Sequence, residues 1–112
     1  MSLSKDFLVD EAIAATGSTQ TDAAQLTANV NLPTAASTDG TKGVKLPAGA
    51  VKGTMVAVFN RAGSAVNLKV YSATSAGYID ATAGSTANTI AQTKGKVYFC
   101  MGSDNWRTVT GA

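Results

Sequence analysis

The alternation in Ala65–Tyr71 constrains this chain more than any other feature. Val66, Leu68 and Val70 fall on one side of an extended backbone, and Asn67 and Lys69 fall on the other. A period of two residues is that of a strand with one dry face and one wet face. The run Thr54–Asn60 (TMVAVFN) is apolar on both sides, as a strand covered from both faces would be. Arg61-Ala62-Gly63-Ser64 joins the two and supplies a glycine able to take positive φ, so the pair reads as a β-hairpin. Gly43-Val44-Lys45-Leu46-Pro47 precedes it as a short strand that proline closes, at an edge or a strand end.

The rest of the chain follows the same rhythm. Thr21–Thr27 offers a Thr or Asp cap ahead of alanines, with Gln25 near the capping-box position, which predicts one or two helical turns. Asn29–Leu32 reads as extended, and Pro33 holds Leu32 out of helical geometry. Further strands are expected at Tyr78–Asp80, Asn88–Ala91, Lys96–Met101 and Trp106–Thr110. Turns at Gln92–Gly95 and Gly102–Asn105 separate the last three. Short strands spaced 8–12 residues apart with Gly-rich turns predict an all-β fold. The expectation is a compact antiparallel sandwich or barrel of about seven to eight strands with at most one short helix.

At 112 residues the chain has room for one core. Residues 1–20 read as an N-terminal arm and residues 21–112 as a single β domain. Phe7, Leu8 and Val9 are the natural anchor of such an arm, which orders when a receiver packs on it. The same three residues also fit an ordinary first strand. Hydrophobic residues make up 45% of the chain, but many are alanine and only seven residues are aromatic. Burying a large apolar side chain contributes roughly 1.5–3 kcal/mol, whereas ordering each residue's backbone costs about 1–2 kcal/mol. A core this short of large side chains is close to balance alone, so burial against other subunits is expected.

Charge is unevenly placed. Residues 1–40 carry one lysine against five acids, a net −4, and residues 41–112 carry eight basic groups against two acids, a net +6. An acidic front and a basic body could dock head to tail between copies, or could be two solvated surfaces. No apolar run reaches the ~20 residues of a membrane span. The N-terminus lacks the basic-then-apolar pattern of a secretory signal.

Chemistry is mostly excluded. The chain has no histidine, which removes the Ser-His-Asp and Cys-His nucleophile systems and the commonest metal ligand. Cys100 is the single cysteine and cannot form an intrachain disulfide or a thiolate zinc site; in its apolar run it reads as a small buried hydrophobe. Asp6, Asp10 and Glu11 lack the spacing of a calcium loop, and the glycines at 40, 43, 49 and 53 match no phosphate-binding pattern. No cofactor, metal or catalytic residue is expected. Lys42, Lys45 and Lys52, with Tyr71, Tyr78 and Tyr98, invite a small nucleic-acid-binding barrel. Lys42 and Lys45, however, stand three apart and would point to opposite strand faces. Trp106, the only tryptophan, reads either as the cap of a core or as an interface anchor.

Four runs carry a resemblance: TGSTQTDAAQL (16–26), GTKGVKLPAG (40–49), MVAVFNRAGSAVNLKVYSATSAGYID (55–80) and GKVYFCMGSDNWRTVT (95–110). Together they resemble small virion proteins of tailed bacteriophages, the head decoration (cement) and head-fibre proteins. In that group a "VKLPA"-like strand and a "LKVYPA"-like segment precede a terminal strand pair containing Trp or Tyr. Here Ser72-Ala73 replaces the proline after Val-Tyr. The resemblance implies a non-enzymatic all-β module, often a trimer, that binds the outer capsid surface where major capsid subunits meet. The expected partners are two further copies and the major capsid protein, the expected location is the virion, and neither a membrane nor a nucleic acid is expected. The assembly residues would be the arm (Phe7, Leu8, Val9), Trp106 and the loop around Lys42 and Lys45. A tail or receptor-binding fibre module, whose Ser72–Tyr78 loop contacts a host glycan, is the alternative from the same virion.

Overall fold

A computed structural model describes residues 9–10, 13–33, 42–61 and 66–110. Among them are eleven strands and no helix: β1 (Val9–Asp10), β2 (Ala24–Gln25), β3 (Val30–Asn31), β4 (Gly43–Lys45), β5 (Met55–Phe59), β6 (Leu68–Tyr71), β7 (Tyr78–Ile79), β8 (Thr82–Ala83), β9 (Asn88–Ile90), β10 (Gly95–Cys100) and β11 (Asn105–Thr110). Seven form one sheet in the order β1-β3-β5-β10-β11-β7-β8, and four form the other in the order β2-β4-β6-β9. The all-β expectation holds. The strand count exceeds the predicted seven or eight because two-residue strands such as β2 and β8 are too short for a period to register.

The sheets are mixed rather than antiparallel, and the route of the chain explains why. From β1 to β6 each successive strand lies in the opposite sheet, so in-sheet neighbours are separated by a full coil of backbone. A coil returns each strand in the same direction, and β1, β3 and β5 accordingly pair in parallel, as do β2, β4 and β6. Only β7–β8 and β10–β11 are hairpins between consecutive strands. No closed barrel forms among the described residues.

The predicted hairpin of Thr54–Asn60 with Ala65–Tyr71 is therefore corrected. β5 belongs to the seven-stranded sheet and pairs with β3 and β10, while β6 belongs to the other and pairs with β4 and β9. Both strands bury one face: Val56 and Val58 on β5, Leu68 and Val70 on β6, all fully inaccessible. Placed in opposite sheets, the two apolar faces meet across the core instead of lying side by side. Asn60, itself buried, holds the crossing by donating from Nδ2 to the carbonyls of Val66 and Ile90, both at 2.9 Å.

The core joins these four residues to Leu26, Val44, Leu46, Ile79, Ile90, Tyr98, Cys100 and Trp106. Cys100 is free and buried, as expected. Tyr98 donates to Asn88 Oδ1 at 2.8 Å. Burial, and then the charge of Asp80, holds its phenol well above its ordinary pKa.

The predicted helical turn at Thr21–Thr27 is also corrected: a turn there runs directly into β2. A helix cap accepts from amides that follow it. Asp22 instead accepts from residues before it, taking Ser18 N at 3.0 Å and Thr19 N and Thr19 Oγ1 at 2.8 Å through one carboxylate oxygen. Those hydrogen bonds, the Thr19 amide first, hold its carboxyl below the usual range.

Of the segment expected as an arm, residues 13–20 lie against the domain. Ala15 is in the core, Thr16 exchanges two backbone hydrogen bonds with Gly43, and Gln20 Nε2 donates to the carbonyls of Ser72 and Ala73. Phe7 and Leu8 lie outside the described residues.

Candidate interaction face

The residues that point away from the core divide the molecule's two outer faces sharply. On the four-stranded sheet the outward row is polar and partly occupied. Lys45 stands beside Gln25 and Tyr71, and Gly43 beside Lys69. The chain's own residues 16–22 lie over this face: Tyr71 is buried with its hydroxyl 3.3 Å from the Ser18 carbonyl, and Lys45 Nζ donates to the Thr21 carbonyl at 3.2 Å. Lys45 thus sits in β4, where the short strand at 43–47 was expected. Lys42 precedes that strand, half-buried, and its carbonyl accepts from Lys69 N at 3.4 Å.

The outer face of the seven-stranded sheet is different in kind. Val9, Val30, Ala57, Val97 and Val109 are paired in register across β1, β3, β5, β10 and β11, so all five project to one side in a single row. Their chain neighbours Asn31, Val56, Val58 and Tyr98 are buried on the opposite side, which fixes this row as the outer one. Met55, Phe99 and Arg107 form the next row on one flank, and Phe59 and Gly95 the row on the other. Val9 and Val109 are each 58% exposed and Phe59 is 42% exposed. Gly95 has a packing reason to be glycine, since a Cβ there would run into the Phe59 ring. Arg107 is the only formal charge among the described outward residues of these five strands. The two-sided apolar run of β5 was read as covered on both faces; on its outer side Met55 and Ala57 are half-buried and Phe59 is exposed.

Trp106 is fully buried within its own chain and caps the core, so its surface is not open to a partner. Its indole N–H donates to Asp104 Oδ1 at 2.8 Å. The same carboxylate accepts from Ala73 N at 2.9 Å, Thr74 N at 2.8 Å and Thr74 Oγ1 at 2.9 Å. It thereby ties the β10–β11 turn to the segment that carries the chain back from the four-stranded sheet. Ser103 and Asp104 have φ of 52° and 57°, in the left-handed region that Asp and Asn enter more readily than other non-glycine residues. Replacing Asp104 by alanine removes the acceptor of two amides and a residue type better suited to positive φ than alanine. We expect a loss of about 2–3 kcal/mol in urea unfolding, against about 1 kcal/mol for Asp104→Asn. Losses under about 0.5 kcal/mol for both variants would mean that the carboxylate does not hold this junction.

Asp22 and Asp104 accept from amides and hydroxyls of nearby turns, and Asp80 accepts from the amide and hydroxyl of Thr108 on β11. No cluster of metal-ligating side chains exists among the described residues. A half-open cavity of about 250 Å³ is lined by Pro47, Gly49, Ala50, Ser103, Asp104 and Trp106. Of its polar side chains, Asp104 and Trp106 are committed to each other, and the third is the exposed Ser103. Of the tyrosines considered as stacking platforms, Tyr71 and Tyr98 are buried and only Tyr78 is exposed. In the Ser72–Tyr78 loop, Ser72 is buried and Thr74 is held by Asp104, which leaves Ser75, Ala76 and Tyr78 outward.

No protein-family model, curated protein or solved structure matches this chain.

Proposed function

We propose that this chain is a non-enzymatic virion structural protein, a capsid decoration (cement) protein that binds the outer capsid surface as a trimer and stabilises the shell. The apolar outer face of the seven-stranded sheet carries the reading. A contiguous apolar patch rimmed by polar residues is the mark of a surface made to be covered by another protein. The side chains that could do chemistry are instead spent on tying turns together, as in a module whose task is to hold shape. Both features fit the resemblance of residues 16–26, 40–49, 55–80 and 95–110 to head decoration proteins. Repetition over a capsid lattice would turn modest single contacts into firm attachment through avidity.

The test is co-sedimentation with empty shells of the major capsid protein encoded beside this chain. Saturable binding in multiples of three copies, with a rise in the shells' disruption temperature, is the expected result. Shells that pellet alone at every protein concentration would overturn the proposal.

A further inference from the structure

We infer that Lys96 and Asn88 join in an intramolecular isopeptide bond, a covalent staple between the two sheets. Asn88 pairs with the buried Val70 on β6, and Lys96 pairs with the buried Val58 on β5. Directly paired residues share a face of their sheet, so both side chains point into the space between the sheets. There Lys96 Nζ stands 3.1 Å from Asn88 Oδ1, with both residues half-buried at the margin of the core. An ammonium group only donates, so the amide presents its oxygen to the lysine and not its nitrogen.

A lysine beside an amide is ordinarily an inert hydrogen bond. Three features set this pair apart. The first is the fully buried Tyr98, whose hydroxyl donates to the same Oδ1 at 2.8 Å. A fixed donor on a carbonyl oxygen stabilises the negative charge that gathers there when a nucleophile adds. Burial, with the charge of Asp80 adding to it, holds this phenol well above its ordinary pKa. It therefore remains a donor under alkaline conditions, where amines become neutral and nucleophilic. The second is the surroundings of the amine. Among the described residues Lys96 Nζ bonds to Asn88 Oδ1 and to no carboxylate, so no ion pair there fixes it in the charged form. The third is restraint. β6 pins β9, while β5 and β11 pin β10, so the two groups are held together by separate sheets. Well-oriented groups within one molecule react as though each were present at about 10⁵–10⁸ M.

The step balances without a co-reactant. The neutral Lys96 amine adds to Asn88 Cγ, and Tyr98 holds the charge that develops on Oδ1. The Nζ–Cγ bond forms and the Cγ–Nδ2 bond breaks. One proton passes from Nζ to the departing nitrogen, which leaves as ammonia. Each molecule reacts once, and the product ties β9 to β10 where the sheets share no backbone ladder. The bond is independent of what the module attaches to, so its presence or absence leaves the capsid reading to its own test.

Intact-mass spectrometry of the full chain tests the assignment, on fresh protein and after incubation at about pH 9. The expected mass is lower than that of the sequence by one ammonia. Trypsin should then release a branched peptide joining residues 70–94 to residues 95–107. Lys96→Arg and Asn88→Ala should each keep the full mass. Tyr98→Phe, with circular dichroism matching wild type, should slow the loss of ammonia by about 100-fold. A wild-type chain of full mass under both conditions would overturn the inference. So would a loss of ammonia that persists in Lys96→Arg, since that marks a succinimide at an asparagine and not a cross-link.

Discussion

Trp106→Ala should cost about 4 kcal/mol, the range for removing a fully buried aromatic side chain from a core that cannot collapse into the space. Domains of this size have about 5–15 kcal/mol of stability in total, so the variant should lose a large fraction of it. Its melting temperature should fall by roughly 15 °C or more. Part of the loss is polar: Asp104 would keep three of its four described donors but lose the indole. Trp106→Phe separates the two contributions, keeping most of the apolar volume and losing only the N–H, with an expected loss of about 1–2 kcal/mol. The tryptophan also reports on itself. As a side chain inaccessible within its own chain, it should keep its blue-shifted emission when the protein is diluted below the concentration at which copies separate. A red shift on dilution, or a Trp106→Ala variant that melts within a few degrees of wild type, would return Trp106 to the interface role.

Much of the fold was legible, because local pattern governs local structure. The alternation of Ala65–Tyr71 predicted a strand, found over Leu68–Tyr71, and the closing Pro47, the turn at Gly102–Asn105 and the apolar run around Cys100 each predicted the element found there. The pairing of those elements was less visible. A run such as TMVAVFNRAGSAVNLKVY satisfies a hairpin and a crossing equally well, since both need two apolar strands and a flexible link. What distinguishes them is Asn60, which ends the apolar run in sequence and is buried, with its amide on two carbonyls from separate segments. A polar side chain at the end of an apolar run carries no mark of the partner it will meet thirty residues later. Asp22 misled for a related reason: the same carboxylate caps a helix that follows it or closes a turn that precedes it, and only the backbone direction decides.

The interaction face was legible in half of its residues. The two-sided apolar character of Met55–Phe59 was recognised, but a strand covered by its own chain and a strand awaiting another chain have the same sequence. The signal that would have separated them is shared: Val97 and Phe99 give β10 an apolar outer side as well, and Val109 continues it on β11. The two strands with apolar residues on both sides, β5 and β10, are neighbours in the sheet, and only their pairing brings the two outer sides together. Val9, proposed as part of an anchoring arm, is the end of that same row.

Asn60→Asp should be the most damaging nearly isosteric change in the molecule, and its effect should depend on pH. The substitution keeps the shape of the side chain but turns a donor between two carbonyl oxygens, each 2.9 Å away, into an acceptor. An ionised carboxylate in that place is a buried charge facing two carbonyl oxygens, at a cost of about 3–5 kcal/mol. The protonated acid can still donate to one of the two oxygens. Folding therefore favours the protonated form and raises the folded-state pKa above the unfolded value of about 3.9. Between those two values the native state holds a proton that the unfolded chain releases, so stability falls as pH rises through that window. Urea unfolding should accordingly show a loss of about 4 kcal/mol at pH 7 that shrinks to about 1–2 kcal/mol near pH 4, relative to wild type at the same pH. Asn60→Ala is the control: it leaves both carbonyls without this donor and should lose about 2–3 kcal/mol at either pH. The backbone of Asn60 also bonds to the turn that leads back into β10, through Lys94 O at 2.9 Å and Thr93 N at 3.1 Å. Loosening this one residue thus frees two neighbouring crossings between the sheets at once. If the Asp variant is equally stable at both pH values, residue 60 is not enclosed. In that case the crossing of β5 into β6 would have to be held by something other than its amide.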